Sequence, residues 1–228
     1  DPADLPGVAT LRAELGTRIE FAVVRKPWAT LRGLAGLGLG RPLTLGYFGS
    51  RDLKERVSRR LAEAPHDLVY VHSSAMAQYA GGGVAAPVVM DFVDVDSDKG
   101  AQYGERSHPP TAWVYRAEGR CLRRYEAEVA RWARLCLVTT PAEEALLTSF
   151  APWARTAVVP NGIDLDQYRP LEITPGEPAV MFTGAMDYLP NIDAVEYFHH
   201  EILPAVRREI PETRFYIVGL NPSPRVRR

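Results

Sequence analysis

Only two cysteines occur in 228 residues, Cys121 and Cys136. Each lies in an apolar or amphipathic run and neither has the spacing of a metal-ligand pair, so a disulfide framework is excluded and a reducing compartment is expected. Charge of one sign is also lacking: the formal net charge is −1, which provides no global field for nucleic acid. No stretch approaches the ~20 uninterrupted apolar residues of a membrane span, and the start has no signal-peptide pattern. The expected location is cytoplasmic, with peripheral contact at the inner membrane face open. Missing too is a G-x-G-x-x-G after a strand with an acid about 20 residues on, which counts against an NAD-dependent dehydrogenase.

What is there suits a soluble globular chain: 46% of residues are apolar and 24% charged, enough to bury a core. There is no initiating Met, and "FYIVGLNPSPRVRR" stops just after a strand and a turn. A fragment of a longer protein is expected.

Runs rich in Val, Ile and Phe alternate with helical patterns, the signature of an α/β doubly wound parallel sheet. The expected strands are 19–24, 68–72, 88–93, 135–139, 156–159, 179–183 and 214–218. Helices are expected over 51–64, where Leu53, Val57 and Leu61 repeat, and over 111–134, where Leu122, Tyr125, Val129 and Trp132 form a stripe beside many arginines. That basic face is a candidate for anionic lipid headgroups. Pro141 with Glu143 and Glu144 opens a further helix. A turn on Asn161 and Gly162, then a proline-rich stretch, marks a domain boundary near residue 170.

The densest chemistry is "VVMDFVDVDSDKGAQYGE", residues 88–105. Asp94, Asp96, Asp98 and Glu105 fall at positions 1, 3, 5 and 12 of an EF-hand loop, yet Lys99 takes the glycine position and a strand precedes where a helix should. Three aspartates, Asp91, Asp94 and Asp96, also stand at the carboxyl end of a buried strand, where open parallel sheets bind ligands. Carboxylates there accept hydrogen bonds from sugar hydroxyls or take a proton from an acceptor alcohol. Capping the next helix, or pairing with nearby arginines, is the structural alternative. "GLAGLGLGRP", residues 33–42, lacks phosphate-loop spacing and is expected to be a connecting loop. His72 ends the strand from Leu68, with Ser73 or Ser74 capping the next helix. At Gly184 a strand passes into a helix starting near Pro190 or Asn191, an arrangement that lets a diphosphate approach backbone amides.

In order, "VHSSAMAQY", "VVMDFVDVDSDKG", "YRAEGRCLRRYE", "VVPNGIDLDQYRP", "FTGAMDYLPNIDAVEYF", "ILPAVRREIP" and "FYIVGLNPSP" resemble the sugar transferases of glycosyltransferase family 4. Within it they resemble the subgroup associated with exosortase (PEP-CTERM) exopolysaccharide systems of bacteria. The resemblance spans nearly the whole chain. It implies a GT-B enzyme, two Rossmann-like domains facing across a cleft, that moves a hexosyl group with retention from a nucleotide-sugar to a polysaccharide or lipid-linked acceptor. No cofactor and no essential metal are implied.

The domains implied are 1–168 on the acceptor side, its first strand missing, a linker at 169–178, and 179–228 as the start of a truncated donor-binding domain. Asp94 and Asp91 carry over as catalytic candidates, Asp96, His72 and Ser73 as acceptor-binding, and Gly184 and Asn191 as donor-binding. The chain departs from the family in its loop Ala185, Met186, Asp187, which lacks the usual Arg and Lys, and in placing aspartates where many members have a histidine. The glutamate pair that holds the donor sugar is expected beyond Arg228, so polypeptide 1–228 alone is expected to be inactive. The competing reading is a non-catalytic Rossmann-like module that holds a nucleotide or metabolite.

Overall fold

Four apolar runs lie side by side as one parallel sheet in the order β1-β2-β3-β4. They are β1 (Val69–His72), β2 (Val88–Val93), β3 (Leu135–Val138) and β4 (Thr156–Val158), in a computed structural model that describes residues 5–15, 19–81, 83–169 and 176–227. The alternation of β2 explains the layering: Val88, Met90 and Phe92 are buried on one face, while Val89, Asp91 and Val93 turn to the other. Complete burial of Met90 or Phe92 contributes about 1.5–3 kcal/mol each. With Val71, Val129, Cys136, Val138 and Leu147 they make the core.

Helices α1 (Leu5–Leu15), α2 (Lys26–Gly38), α3 (Leu43–Phe48) and α4 (Arg51–Glu63) precede the sheet, and a 3-10 turn at Ser74–Tyr79 comes after β1. Between β2 and β3 come α5 (Asp96–Arg106) and α6 (Thr111–Trp132); α7 (Pro141–Phe150) joins β3 to β4. The expected stripe of α6 faces inward, with Leu122 and Val129 buried and Tyr125 and Trp132 partly so. Helices α5 and α6 cross through two glycines: a Cβ on Gly100 would lie 3.0 Å from Gly119 Cα, and one on Gly119 would lie 2.9 Å from Ser97 O. That close approach fixes the start of α5 beside α6.

The chain divides into two compact units, Asp1–Gly162 and Ile163–Arg228. The second holds a two-stranded parallel sheet of β5 (Ala179–Thr183) and β6 (Arg214–Val218), joined by α8 (Leu189–Tyr197), a π-helical turn and α9 (Leu203–Glu209). Among the described residues no helix is long and apolar enough to cross a membrane.

Three expectations fail. Residues 19–24 form no strand; with no neighbouring strand among the described residues to pair its backbone groups, the segment is held by side chains, Arg12 Nη2 donating to Ile19 O at 2.9 Å and Arg60 Nε to Glu20 Oε1 at 2.9 Å. Much of the expected loop at 33–42 is instead the end of α2. There Gly33 and Gly46 are contact points, a Cβ on Gly46 falling 2.7 Å from Gly33 Cα, so tight packing overrides the poor helix propensity of glycine. The turn expected at Asn161–Gly162 forms later, where Asp164 Oδ1 accepts from the N–H groups of Asp166 and Gln167. Of the expected linker, residues 170–175 lie outside the described residues.

Candidate active site

The carboxyl ends of β1 and β2 bring the aspartates and His72 together. The two strands pair His72 with Asp91, and period-two alternation puts Tyr70, His72 and Asp91 on one face. Tyr70 Oη donates to Asp91 Oδ2, and His72 Nδ1 stands 3.5 Å from the same oxygen with its ring exposed. The hydrogen bond to Asp91, reinforced by desolvation and charge, raises the Tyr70 phenol above its ordinary value. Asp91 Oδ1 accepts the N–H of Val93 at 3.0 Å. Both oxygens of Asp91 are therefore engaged in holding the strand ends.

The backbone is unusual at those ends. Ser73 has φ +71° and Val93 φ +65°, and the pairing of β2 with β3 shifts register between Asp91 and Val93. A β-branched residue in the left-handed region is a genuine outlier, of order 1–3 kcal/mol. Its neighbours hold it there: Thr139 N and Oγ1 donate to Val93 O at 3.1 and 2.9 Å. Ser73 N donates to Asp91 O at 2.8 Å, so Ser73 joins the two strand ends through its main chain. Its side chain makes no cap bond to the following turn, contrary to the capping expected of it. Ser74 is buried and donates through Oγ to Asp96 Oδ2 at 3.0 Å.

Lys99 is the centre of charge. Its Nζ lies 2.8 Å from Asp94 Oδ2 and 3.2 Å from Asp96 Oδ1. Burial pulls the ammonium down, but the hydrogen bonds and charges of Asp94 and Asp96 outweigh it and hold Lys99 above its ordinary range. A twelve-residue calcium loop from Asp94 does not form, because α5 already begins at Asp96 and Lys99 supplies the positive charge. Of the three aspartates, Asp94 is the most accessible, its side chain 41% exposed against 19% for Asp91. Its Oδ1 makes no hydrogen bond among the described residues.

Carboxylates from distant helices knit the loop beneath this cluster. Glu143, in the first turn of α7, accepts the N–H of Val95, and Glu126 of α6 accepts that of Ser97 at 3.1 Å. They satisfy donors that a helix start leaves orphaned, where a side-chain cap on Val95 is absent. Glu126 is wholly buried and its Oε2 makes no hydrogen bond among the described residues. Burial pushes it up to about 7, against the hydrogen bonds from Ser97 that favour the charged form. Sequence spacing pointed to the aspartates and His72, offered Ser74 and Glu143 only as helix-start residues, and missed Lys99, Glu126 and Tyr70 as site residues. Lys99 stood out only as a misfit in the calcium pattern, and Glu126 only as one more charge on an arginine-rich helix.

The two residues singled out in the second unit are also together. Asn191 Nδ2 donates to Ala185 O at 3.0 Å and would lie 2.6 Å from a Cβ on Gly184. Gly184 N donates to Val218 O, and a Cβ on Gly219 would overlap Gly184 O at 1.7 Å. Glycine at 219 is thus required for β5 and β6 to end side by side, whatever else the loop binds, and glycine at 184 leaves room for the Asn191 amide.

The architecture can be set beside known proteins. Sucrose-phosphate synthase from Thermosynechococcus elongatus superposes with a TM-score of 0.50 at 16% identity, over 75% of this chain and 44% of that one. The chain thus spans less than half the length of that protein, and the likeness is one of fold: α/β, of the GT-B type, with parallel sheets flanked by helices. No curated protein matches the chain. The family model described as glycosyl transferase 4-like domain matches residues 3–162, nearly all of the first unit, and on that match the chain belongs to the glycosyl transferase 4-like family.

Proposed function

We propose that the chain is part of a retaining glycosyltransferase that moves a hexosyl group from a nucleotide-sugar to a polysaccharide or lipid-linked saccharide in exopolysaccharide synthesis, at the cytoplasmic face of the inner membrane and without an essential metal. The observation that carries this reading is the half-exposed Asp94 carboxylate beside Lys99 at the carboxyl ends of β1 and β2, within a glycosyl transferase 4-like domain. A parallel sheet offers its ligand site at that end. Asp94 Oδ1 accepts a hydrogen bond from the acceptor hydroxyl, and Lys99, paired to Oδ2, holds the carboxylate in place for that purpose. Asp96, tied to Ser74 and Lys99, and Asp91, tied to Tyr70 and Val93, position it. Exposed His72 and the Ser73 backbone complete the acceptor side.

For the donor we propose the loop after β5, with Gly184 and Asn191 placing backbone amides near the start of α8 for a diphosphate. Polypeptide 1–228 by itself is proposed to be inactive, donor-sugar contacts being expected from downstream sequence. A non-catalytic binding module would draw support from the neutralisation of Asp94 and Asp96 by Lys99.

The test is a panel of UDP- and GDP-sugars offered to the full-length protein with saccharide and lipid-linked acceptors, with and without EDTA. EDTA-resistant transfer with retained anomeric configuration is expected, and none from 1–228. Donor binding without transfer on any acceptor would favour the binding module, and transfer by 1–228 would overturn the division of labour between acceptor and donor regions.

A further inference from the structure

We propose that helix α2 and the groove beside it form a docking surface for an anionic lipid bilayer. The inference stands on the first unit alone and does not depend on sugar transfer. Helix α2 is turned by close packing: Ala29 and Gly33 are its buried residues, and a Cβ on Gly33 would lie 2.8 Å from Leu43 O. The opposite side therefore faces outward, and it is apolar. Trp28, Leu31, Ala35 and Leu39 recur at intervals of three and four, one stripe of a 3.6-residue helix. Trp28 is 67% exposed, Leu31 58% and Leu39 79%, with Leu34 exposed beside them. Single exposed leucines need no explanation, but a tryptophan and three leucines side by side on one short helix do.

Charge identifies the occupant. Between Phe21 and Arg51 the sequence holds Arg25, Lys26, Arg32, Arg41 and Arg51 and not one Asp or Glu. A groove of about 680 Å³ runs along the same helix, lined by Ala35, Leu39 and Leu45 with the cations Arg32, Arg41 and Arg124, and among the described residues Glu128 is its only carboxylate. An apolar helical face flanked by Arg and Lys suits the interfacial zone of a membrane: leucines enter the acyl boundary, tryptophan sits at headgroup level, and the cations meet lipid phosphates. A second copy of this chain is a poor occupant, since pairing the face with itself would oppose like charges. Arg124 apart, the arginines of α6, the surface suggested by sequence, suit the role less well, because Arg123 stacks over the ring of Phe150 at 4.7 Å and Arg131 over Trp153 at 4.1 Å.

Docking at α2 would also orient the candidate site. Tyr79 Oη donates to Phe48 O at 2.6 Å and accepts the N–H of Ser50 at 2.9 Å. Tyr79 ends the 3-10 turn that begins at Ser74, the partner of Asp96, so the docking helices are joined through α3 to the aspartate loop.

The test is co-sedimentation of the full-length protein with phosphatidylcholine vesicles, with and without phosphatidylglycerol, at low and high salt. Binding is expected only with phosphatidylglycerol, weakened by salt. The double variant Trp28→Ser/Leu31→Ser should lose about tenfold or more in affinity, as should Arg25→Gln/Arg41→Gln, while both keep the wild-type thermal melt. Arg207→Gln/Arg208→Gln on α9 is the control and should bind as wild type. No binding to either vesicle, or equal binding by wild type and the Trp28→Ser/Leu31→Ser protein, would overturn the proposal. Self-association in sedimentation velocity that this variant abolishes would also overturn it, assigning the face to a second copy.

Discussion

Two parallel sheets end in different ways within this chain. The four strands of the first unit close over buried Met90, Phe92, Cys136 and Val138, and at their carboxyl ends Asp94 and Asp96 flank one lysine, with Asp91 tied to Tyr70 beside them. The two strands of the second unit bury much less: Met181 is 62% exposed and Val218 49%. Their carboxyl ends are drawn together by Gly184 and Gly219, with no lysine or arginine in the loop 184–189. One end is built from charge and the other from the absence of side chains. A loop of paired charges can bind hydroxyls through its carboxylates, whereas a glycine pinch offers backbone N–H groups only. On the proposed reading, this contrast goes with acceptor work in the first unit and a phosphate-facing role in the second.

The largest effect should come from breaking the pinch. Gly219→Ala places a methyl within 1.7 Å of Gly184 O, so β5 and β6 must part. Residues 179–218 should lose hydrogen-exchange protection, at a cost of roughly 3 kcal/mol or more, while β2 and β3 keep theirs. Protection lost equally in both units would show that the sheets are not independent in stability.

In the first unit the corresponding device is Glu126. Its carboxyl is held near 7 in the folded chain against an ordinary value of 4.5, so between those pH values the native state binds the extra proton. Stability from this group is therefore fullest below about 4.5 and falls as pH rises to about 7, by up to ~3 kcal/mol. Denaturation of wild type and Glu126→Gln across that range should give a difference curve with this slope, because Gln cannot titrate. Parallel curves would remove Glu126 from the pH response.

Lys99→Gln should produce a smaller, sharper result. The pairs to Asp94 and Asp96 are partly exposed, the Lys99 side chain at 40%, so stability should change by less than about 1 kcal/mol. The kcat/KM for transfer should nevertheless fall by roughly tenfold, since Asp94 and Asp96 lose the ammonium that fixes their position. The smallest effect separates the two thiols. Burial pushes Cys136 up to about 11, so native protein should react with a thiol reagent at partly exposed Cys121 and at Cys136 only after unfolding.

Much of this was legible in the sequence because it is local. Strands β1 to β6 arise from short Val- and Ile-rich runs, and Thr140, Pro141 and Glu143 announce α7, where Thr140 Oγ1 caps Glu143 N at 3.2 Å. The aspartates stood out because a strand end placed them together. What failed depends on contacts between distant residues. Ile19 to Val24 had the composition of a strand but no partner, and α2 was hidden by glycines that its packing on α3 requires. Glu126 meets Ser97 across 29 residues and Glu143 meets Val95 across 48. No spacing rule encodes such pairs, and they turn a row of acids into an ordered loop.

The most direct measurement is Asp94→Asn in the full-length protein, with donor affinity and transfer rate determined separately. Transfer to acceptor is predicted to fall by about 100-fold or more, with nucleotide-sugar affinity and thermal stability unchanged. Transfer at the wild-type rate, or a loss of donor affinity that accounts for the whole defect, would contradict the placement of the acceptor at the aspartates.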